Sequence, residues 1–174
     1  IRAAPSIRYP QVRAGLLLSA YLFPRSFELR QMRWDQIEGE VWRVPAEAMK
    51  AKREHLVPLS RQAREVLDWI KPLTGRQQLV LHSYTTNGSI MSENTLNKAL
   101  DSLGYARQHH RQHGFRTTFS TNMNEMGWNP DWIEMQLAHI EGGVRGAYNK
   151  ALYLPNRVEM MQAYADWLDG QAEG

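Results

Sequence analysis

Two short β-branched segments in an otherwise helical sequence constrain the fold most. Residues 37–45 (IEGEVWRVP) and 55–60 (HLVPLS) are typical of strands, and the charged stretch 46–54 between them is typical of a hairpin tip. Most other apolar residues recur at helical spacing. The sequence therefore predicts a mostly helical α+β fold with a small antiparallel sheet near the N-terminal third of the chain. A further short strand within residues 75–83 is expected to make this sheet three-stranded.

The helices are predicted from apolar spacing and from residues that favour helix ends. Pro24 separates the first two helices, since proline cannot continue a helix interior. Ser60, Ser92 and Asn129 are expected as N-caps, and Pro130 suits the first turn that follows Asn129. These signals predict helices at 16–23, 26–34, 60–71, 92–103, 113–126, from 129 onward, and at 155–168.

Charge is divided unevenly along the 174 residues. Residues 1–124 contain 18 Lys+Arg and 10 Asp+Glu, a net charge of +8, whereas residues 125–174 contain 3 and 8, a net charge of −5. A basic body favours a polyanionic partner, with nucleic acid the first candidate. The alternative is an ordinary basic protein, because a pI near 9.3 also occurs without nucleic-acid binding.

Composition excludes several other classes. With no cysteine there are no disulfides, thiolate metal sites or thiol nucleophiles, and a reducing cytoplasm fits this composition. The longest apolar run, residues 14–23, is about half of what a bilayer span needs, so no membrane partner is expected. The length suits one well-buried domain, and because the sequence starts at Ile1 we expect it to be part of a longer protein.

Seven polar residues stand out in five short motifs. They are Arg25 and Glu28 in RSFEL, Lys50 in MKAKREHLVPLS, His113 and Arg116 in HGFR, His139 in QLAH and Tyr148 in VRGAYNKA. His113 and Arg116 share one face of a predicted helix start, which suits a negatively charged group. Singly, the motifs also fit ordinary roles: a surface ion pair, a solvated charged face, a turn histidine, a packing tyrosine.

The order and spacing of these motifs resemble the tyrosine recombinases, in particular the phage-integrase branch found in prophages and genomic islands. The resemblance extends from about Leu16 to Leu168. It implies a catalytic domain that cuts and rejoins DNA strands through a covalent phosphotyrosine, with no metal and no cofactor. The implied catalytic residues are Arg25, Lys50, His113, Arg116, His139 and the nucleophile Tyr148, with Glu28 in a supporting role.

Each implied residue has a physical role. Two guanidinium groups can each grip two phosphate oxygens, as Arg25 and Arg116 would. A tyrosine needs a nearby proton acceptor, for which we assign His113, and the leaving 5′ oxygen needs a proton donor. Lys50 is the first choice for that donor and Lys52 its rival. His139 is expected to hydrogen-bond the scissile phosphate, and the DNA contacts are expected at Lys52, Arg53 and Arg111.

The resemblance also implies a domain organisation and partners. Residues 1–174 form a single catalytic domain, and the family's N-terminal DNA-clasping and arm-binding domains lie outside it. The tail from about 151 to 174 packs either in cis or on a neighbouring subunit. Expected partners are double-stranded attachment-site DNA, three further copies in a tetramer on DNA, and a DNA-bending accessory protein, in the bacterial cytoplasm. The isolated domain is expected to be a monomer.

Several alternatives stay open. A type IB topoisomerase shares the tyrosine chemistry, and a non-catalytic DNA-binding remnant would share the fold. His109 and His113 are spaced to share a metal ion, although no carboxylate stands beside them. Tyr153 is the second candidate nucleophile. Pro24 and Phe27 depart from the family pattern around Arg25.

Overall fold

The first helix crosses the centre of the molecule. The computed structural model describes residues 4–49, 52–86, 88–105, 111–139 and 153–173. Helix α1 (Pro10–Leu22) starts with a proline, whose missing N–H has no helical partner at that position anyway. It ends at Phe23, which has a left-handed backbone (φ 41°, ψ 42°) directly before Pro24. The predicted break at Pro24 is confirmed.

The remaining elements follow in a mixed but mainly helical order. The helices are α2 (Ser26–Arg30), α3 (Arg61–Thr74), α4 (Thr95–Ser102), α5 (Gly114–Glu125), α6 (Pro130–Gln136) and α7 (Leu154–Glu173), and the strands are β1 (Ile37–Glu38), β2 (Val41–Val44) and β3 (His55–Pro58). Short 3₁₀ turns lie at Ala4–Ser6, Trp34–Gln36 and Ala46–Ala48. The second predicted helix, 26–34, is therefore shorter than expected: it ends at Arg30, and Arg33 forms a bridge with Leu79 instead.

The sheet is three-stranded and antiparallel in the order β1-β2-β3, as predicted. However, the third strand does not come from segment 75–83, contrary to the prediction. Gly39, at φ +58°, makes a tight turn that splits segment 37–45 into β1 and β2. Segment 75–83 forms only isolated bridges, Arg33 with Leu79 and His82 with Ile90, so the strand predicted there is wrong. Its apolar residues are buried in the core, which explains the misleading pattern.

Helix boundaries follow local capping where a side chain supplies it. Ser60 Oγ accepts from Ala63 N at 3.3 Å and Asn129 Oδ1 from Asp131 N at 2.9 Å, which confirms both N-caps. The Ser92 cap is wrong: its carbonyl closes a turn with Thr95 N, and Asn94 is the N-cap of α4. None of the helices in the described part of the chain has the length and apolar character of a bilayer-spanning segment.

The last helix packs on its own chain. Met160, Met161 and Tyr164 of α7 are fully buried, and α7 contacts α1, α3, α5, α6 and β3. The Tyr164 ring meets Phe23 and Phe119 edge-on at 5.6 and 5.0 Å, and those two rings stack at 3.7 Å. This aromatic cluster joins the C-terminal end of α1 to the middle of α5 and of α7.

Candidate active site

Arg116 lies at the centre of the candidate site. It is on the buried face of α5 with Phe119 and Met123, and only 5% of its surface is exposed. Its Nη1 donates to Phe23 O at 3.0 Å and its Nη2 to Leu137 O at 2.5 Å. Burial, together with the positive charge of Arg25, lowers the pKa of Arg116 to about 10. The guanidinium therefore remains charged at neutral pH and joins the ends of α1 and α6.

Arg25 is fixed beside it by Glu28. Arg25 is the N-cap of α2, and the Glu28 carboxylate accepts from its backbone N and its Nη1, both at 2.9 Å. Glu28 is 6% exposed and the Arg25 side chain 29%, so this contact is not an ordinary surface ion pair. Phe27, one departure from the family pattern, is 52% exposed and leaves these contacts intact.

His139 completes the described cluster. Its Nε2 lies 3.2 Å from Arg116 Nη2, and its Nδ1 lies 3.2 Å from Glu134 Oε2. A guanidinium N–H can only donate, so Nε2 is the acceptor and Nδ1–H donates to Glu134. The contacts thus select one neutral tautomer of His139, with Glu134 fixing the ring orientation.

The other predicted site residues are distributed differently. His113 is the exposed N-cap of α5, and its carbonyl accepts from Arg116 N at 3.1 Å. Lys52 and Arg53 are exposed on the connection between β2 and β3, and Arg111 lies 4.0 Å from Asp101. Lys50, Tyr148 and His109 lie outside the described residues. Within the described ranges, no group of three His, Asp or Glu side chains could hold a metal ion.

Three residues that the sequence reasoning missed lie next to this cluster. His55 Nε2 is 3.1 Å from Gln136 O, and Arg157 Nε donates to Gln136 Oε1 at 2.9 Å. Desolvation of the His55 ring, followed by the charge of Arg157, lowers its pKa to about 3. A signal for Arg157 does exist, because it stands three residues before Met160 in the apolar stripe of α7. His55 and Gln136 give no comparable signal.

Several of the residues described above line one small pocket. Its lining includes Pro24, Glu28, His55, Arg116 and Gln136, and it has a volume of about 10 Å³, which is room for a single water molecule. Arg116, the buried Glu28 carboxylate and the neutral His55 imidazole line it, and Arg25 and His139 contact two of these residues, Glu28 and Arg116. Such an arrangement can bind an oxyanion and stabilise the negative charge that develops on it.

Comparison with known proteins defines the class. The fold matches the lambda integrase catalytic core with a TM-score of 0.62 at 19% identity, over 82% of this chain and 86% of that structure. It also matches a lambda integrase dimer bound to a COC′ core site, with a TM-score of 0.62 at 19% identity over 80% of this chain and 53% of that one. The fold is therefore that of a tyrosine recombinase catalytic domain.

The family follows from sequence. The model of the phage integrase family matches residues 12–154, and the chain belongs to that family. It is 43% identical to prophage integrase IntZ of Escherichia coli (strain K12) over 94% of this chain and 41% of the relative. It is 38% identical to the integrase of Enterobacteria phage P4 over 96% of this chain and 45% of the relative. The chain thus spans less than half the length of these relatives.

Proposed function

We propose that this chain is the catalytic domain of a site-specific DNA recombinase that integrates and excises mobile DNA. Cleavage and rejoining would proceed through a covalent 3′-phosphotyrosine on Tyr148. The observation that carries the proposal is the proximity of Arg25 and Arg116: Arg25 donates to Glu28, Glu28 and Arg116 line the same pocket, and the charge of Arg25 lowers the pKa of Arg116. Membership of the phage integrase family supports it.

The pair of guanidinium groups suits a phosphodiester under attack. In-line displacement gathers negative charge on the non-bridging oxygens, and planar guanidinium forks match two oxygens each. Arg25 is partly exposed and can reach a bound phosphate, whereas Arg116 is held in place by hydrogen bonds to Phe23 O and Leu137 O. Held donors need no reorganisation during the reaction, which is the basis of electrostatic catalysis.

The chemical step balances with residues of this chain. Tyr148 Oη attacks the phosphorus, the P–O5′ bond breaks, and a 3′-phosphotyrosine and a free 5′-hydroxyl result. His113 accepts the phenol proton, and Lys50 delivers a proton to the leaving 5′ oxygen. Attack by a 5′-hydroxyl on the phosphotyrosine reverses these transfers and rejoins the strand. Lys52 is the rival donor. His139 would hydrogen-bond the scissile phosphate by exchanging one of its present contacts with Arg116 and Glu134.

The proposed partner is double-stranded DNA at attachment sites. Lys52, Arg53 and Arg111 would contact its backbone, supported by the exposure of Lys52 and Arg53. The lambda integrase dimer on its core site is the structural parallel. We further propose that residues 1–174 form one catalytic domain, that the whole protein assembles as a tetramer on DNA in the bacterial cytoplasm, and that an accessory protein bends the DNA.

Trapping on a nicked duplex that carries the attachment core tests the nucleophile. After cleavage next to the nick, a short 5′-hydroxyl fragment diffuses away and the covalent adduct accumulates. Wild type should form an adduct that survives denaturing electrophoresis, and Tyr148→Phe should form none. Tyr153→Phe is the matched control and should retain adduct formation.

The other outcomes are equally specific. An adduct with Tyr148→Phe but none with Tyr153→Phe would move the nucleophile to Tyr153. DNA binding by wild type without any adduct would identify a non-catalytic remnant and refute the proposal. Relaxation of supercoiled plasmids that lack the core would point to a topoisomerase instead.

A further inference from the structure

A buried guanidinium lies behind the candidate active site. Arg157, in the first turn of α7, is 1% exposed. Its Nε and Nη2 both donate to Gln136 Oε1, at 2.9 and 2.6 Å, and Nη2 also donates to Leu56 O of β3. Burial lowers its pKa to about 10, so the charge persists at neutral pH. One side chain thus joins α7, α6 and β3.

Gln136 connects this guanidinium to the site. It is the last residue of α6 and is 3% exposed, and its carbonyl lies 3.1 Å from His55 Nε2. Leu137, the next residue, supplies the carbonyl that accepts from Arg116, and His139 contacts the same guanidinium. Because Leu137 and His139 follow Gln136 within three residues, a shift of Gln136 is expected to reach both contacts of Arg116.

We propose that Arg157 is a positioning residue of the active site, which acts through Gln136 to hold Leu137 O and His139 against Arg116. The inference rests on the proposed function for its catalytic consequence. Its structural part, the orientation of His139, stands independently of any reaction. The competing view is that Arg157 only braces α7, in which case its loss lowers stability and leaves the site geometry unchanged.

The test compares Arg157→Lys with a matched Arg61→Lys. Lysine keeps the positive charge but lacks the planar guanidinium group that donates to both Gln136 and Leu56. Arg61 is an exposed α3 residue paired with Glu65 at 2.8 Å, so its substitution controls for a generic change. At saturating nicked DNA and well below the unfolding temperature, adduct formation by Arg157→Lys should slow by about tenfold or more, since small misplacements of reacting groups are costly. DNA affinity should stay within about twofold, because the contacts with the backbone are elsewhere.

A reaction-independent readout separates the two proposals. The His139 imidazole signals, assigned by His139→Gln in ¹H–¹³C NMR spectra, should shift in Arg157→Lys and not in Arg61→Lys. If wild type forms no adduct, the proposed function fails while the NMR comparison still decides the role of Arg157. A lowered unfolding temperature with unchanged His139 signals and an unchanged rate at saturating DNA would overturn the positioning role.

A second pair of variants covers the case in which Arg157→Lys does not fold. Gln136→Glu keeps an acceptor for the guanidinium and should leave the His139 signals and the rate close to those of wild type. Gln136→Met keeps the side-chain length, removes the acceptor, and should reproduce the slow cleavage and the shifted signals. Equal behaviour of the Glu and Met variants in both measurements would contradict transmission through Gln136.

Discussion

Burial has the same effect on the neighbouring polar residues Arg116 and His55 but leaves them in different charge states. Desolvation disfavours the charged form of both side chains. Arginine starts from so high a pKa that it remains a cation at about 10, whereas histidine falls to about 3 and is neutral. The site therefore has fixed positive charges at neutral pH and a neutral imidazole packed between them. The charge of Arg116 and the neutral state of His55 therefore do not change across the physiological pH range.

The neutral state of His55 predicts a pH-dependent stability. Its pKa in the folded chain is about 3, below the ordinary value of 6.5, so the unfolded chain binds the extra proton between these values. Its contribution is present above about pH 6.5 and is lost as pH falls toward 3. The facing charges, Arg157, Arg116 and Arg25, do not titrate in this window. Wild type should lose up to about 1.4 kcal/mol of unfolding free energy per pH unit more than His55→Gln.

Urea unfolding at intervals from pH 7.5 to 4.5 measures this difference. The exposed His113, substituted as His113→Gln, is the control and should follow the wild-type curve. Parallel pH curves for wild type and His55→Gln would mean that His55 is protonated as easily in the folded chain as in the unfolded one.

At the level of elements, left-handed backbone marks the edges of the site. Among the described residues, the non-glycine positions with positive φ are Phe23, Lys52 and Ala138, at 41°, 52° and 51°. The carbonyl of Phe23 accepts from Arg116. Ala138 lies between Leu137 and His139, which both contact Arg116. Lys52 lies on the hairpin that is expected to supply the proton donor. Strained backbone at such positions is typical of functional sites, where the surrounding packing holds it.

Ala138→Gly tests whether this strain is present. Glycine adopts positive φ freely, which removes a cost of about 1–2 kcal/mol and adds about 0.5–1 kcal/mol of chain entropy. The free energy of unfolding should thus stay level or rise by up to about 1.5 kcal/mol. Ala99→Gly, within helix α4, should lower it by about 1 kcal/mol. Chemical denaturation of both variants gives the comparison, and equal losses would show that Ala138 is unstrained.

Local signals predicted the elements that depend on neighbours in sequence. The N-caps at Ser60 and Asn129 were found because each cap is a contact within three residues. The strand expected at 75–83 was wrong, since buried apolar residues look alike in a strand and in a core loop. Likewise, HGFR was enough to find Arg116, whereas the contact of Arg157 with Gln136 spans 21 residues and depends on tertiary packing.

Across the whole molecule, many charges are already engaged in local contacts. Exposed arginines of the sheet region and of α3 pair with acidic partners: Arg33 with Asp35, Arg43 with Glu38 and Glu54, Arg61 with Glu65, and Arg64 with Glu40. The acidic residues of α7 are engaged too, because Asp169 accepts from Tyr21 and Gln62, and Asp166 from Gln62. The net charge of +3 therefore does not show which cations are available to a polyanion, because several arginines are already paired with acidic side chains.

This distribution predicts how salt affects DNA binding. Each phosphate contact releases condensed counterions, so the plot of log affinity against log salt steepens by about 0.9 per contact on duplex DNA. Lys52 is exposed on the connection between β2 and β3, and Lys52→Ala should make the slope shallower by about that amount. Arg64 is also exposed but lies 2.5 Å from Glu40, so Arg64→Ala should leave the slope unchanged. Electrophoretic shift titrations from 50 to about 200 mM salt measure both slopes. A shallower slope for Arg64→Ala with none for Lys52→Ala would place the DNA on the α3 side of the molecule, away from Arg25 and Arg116.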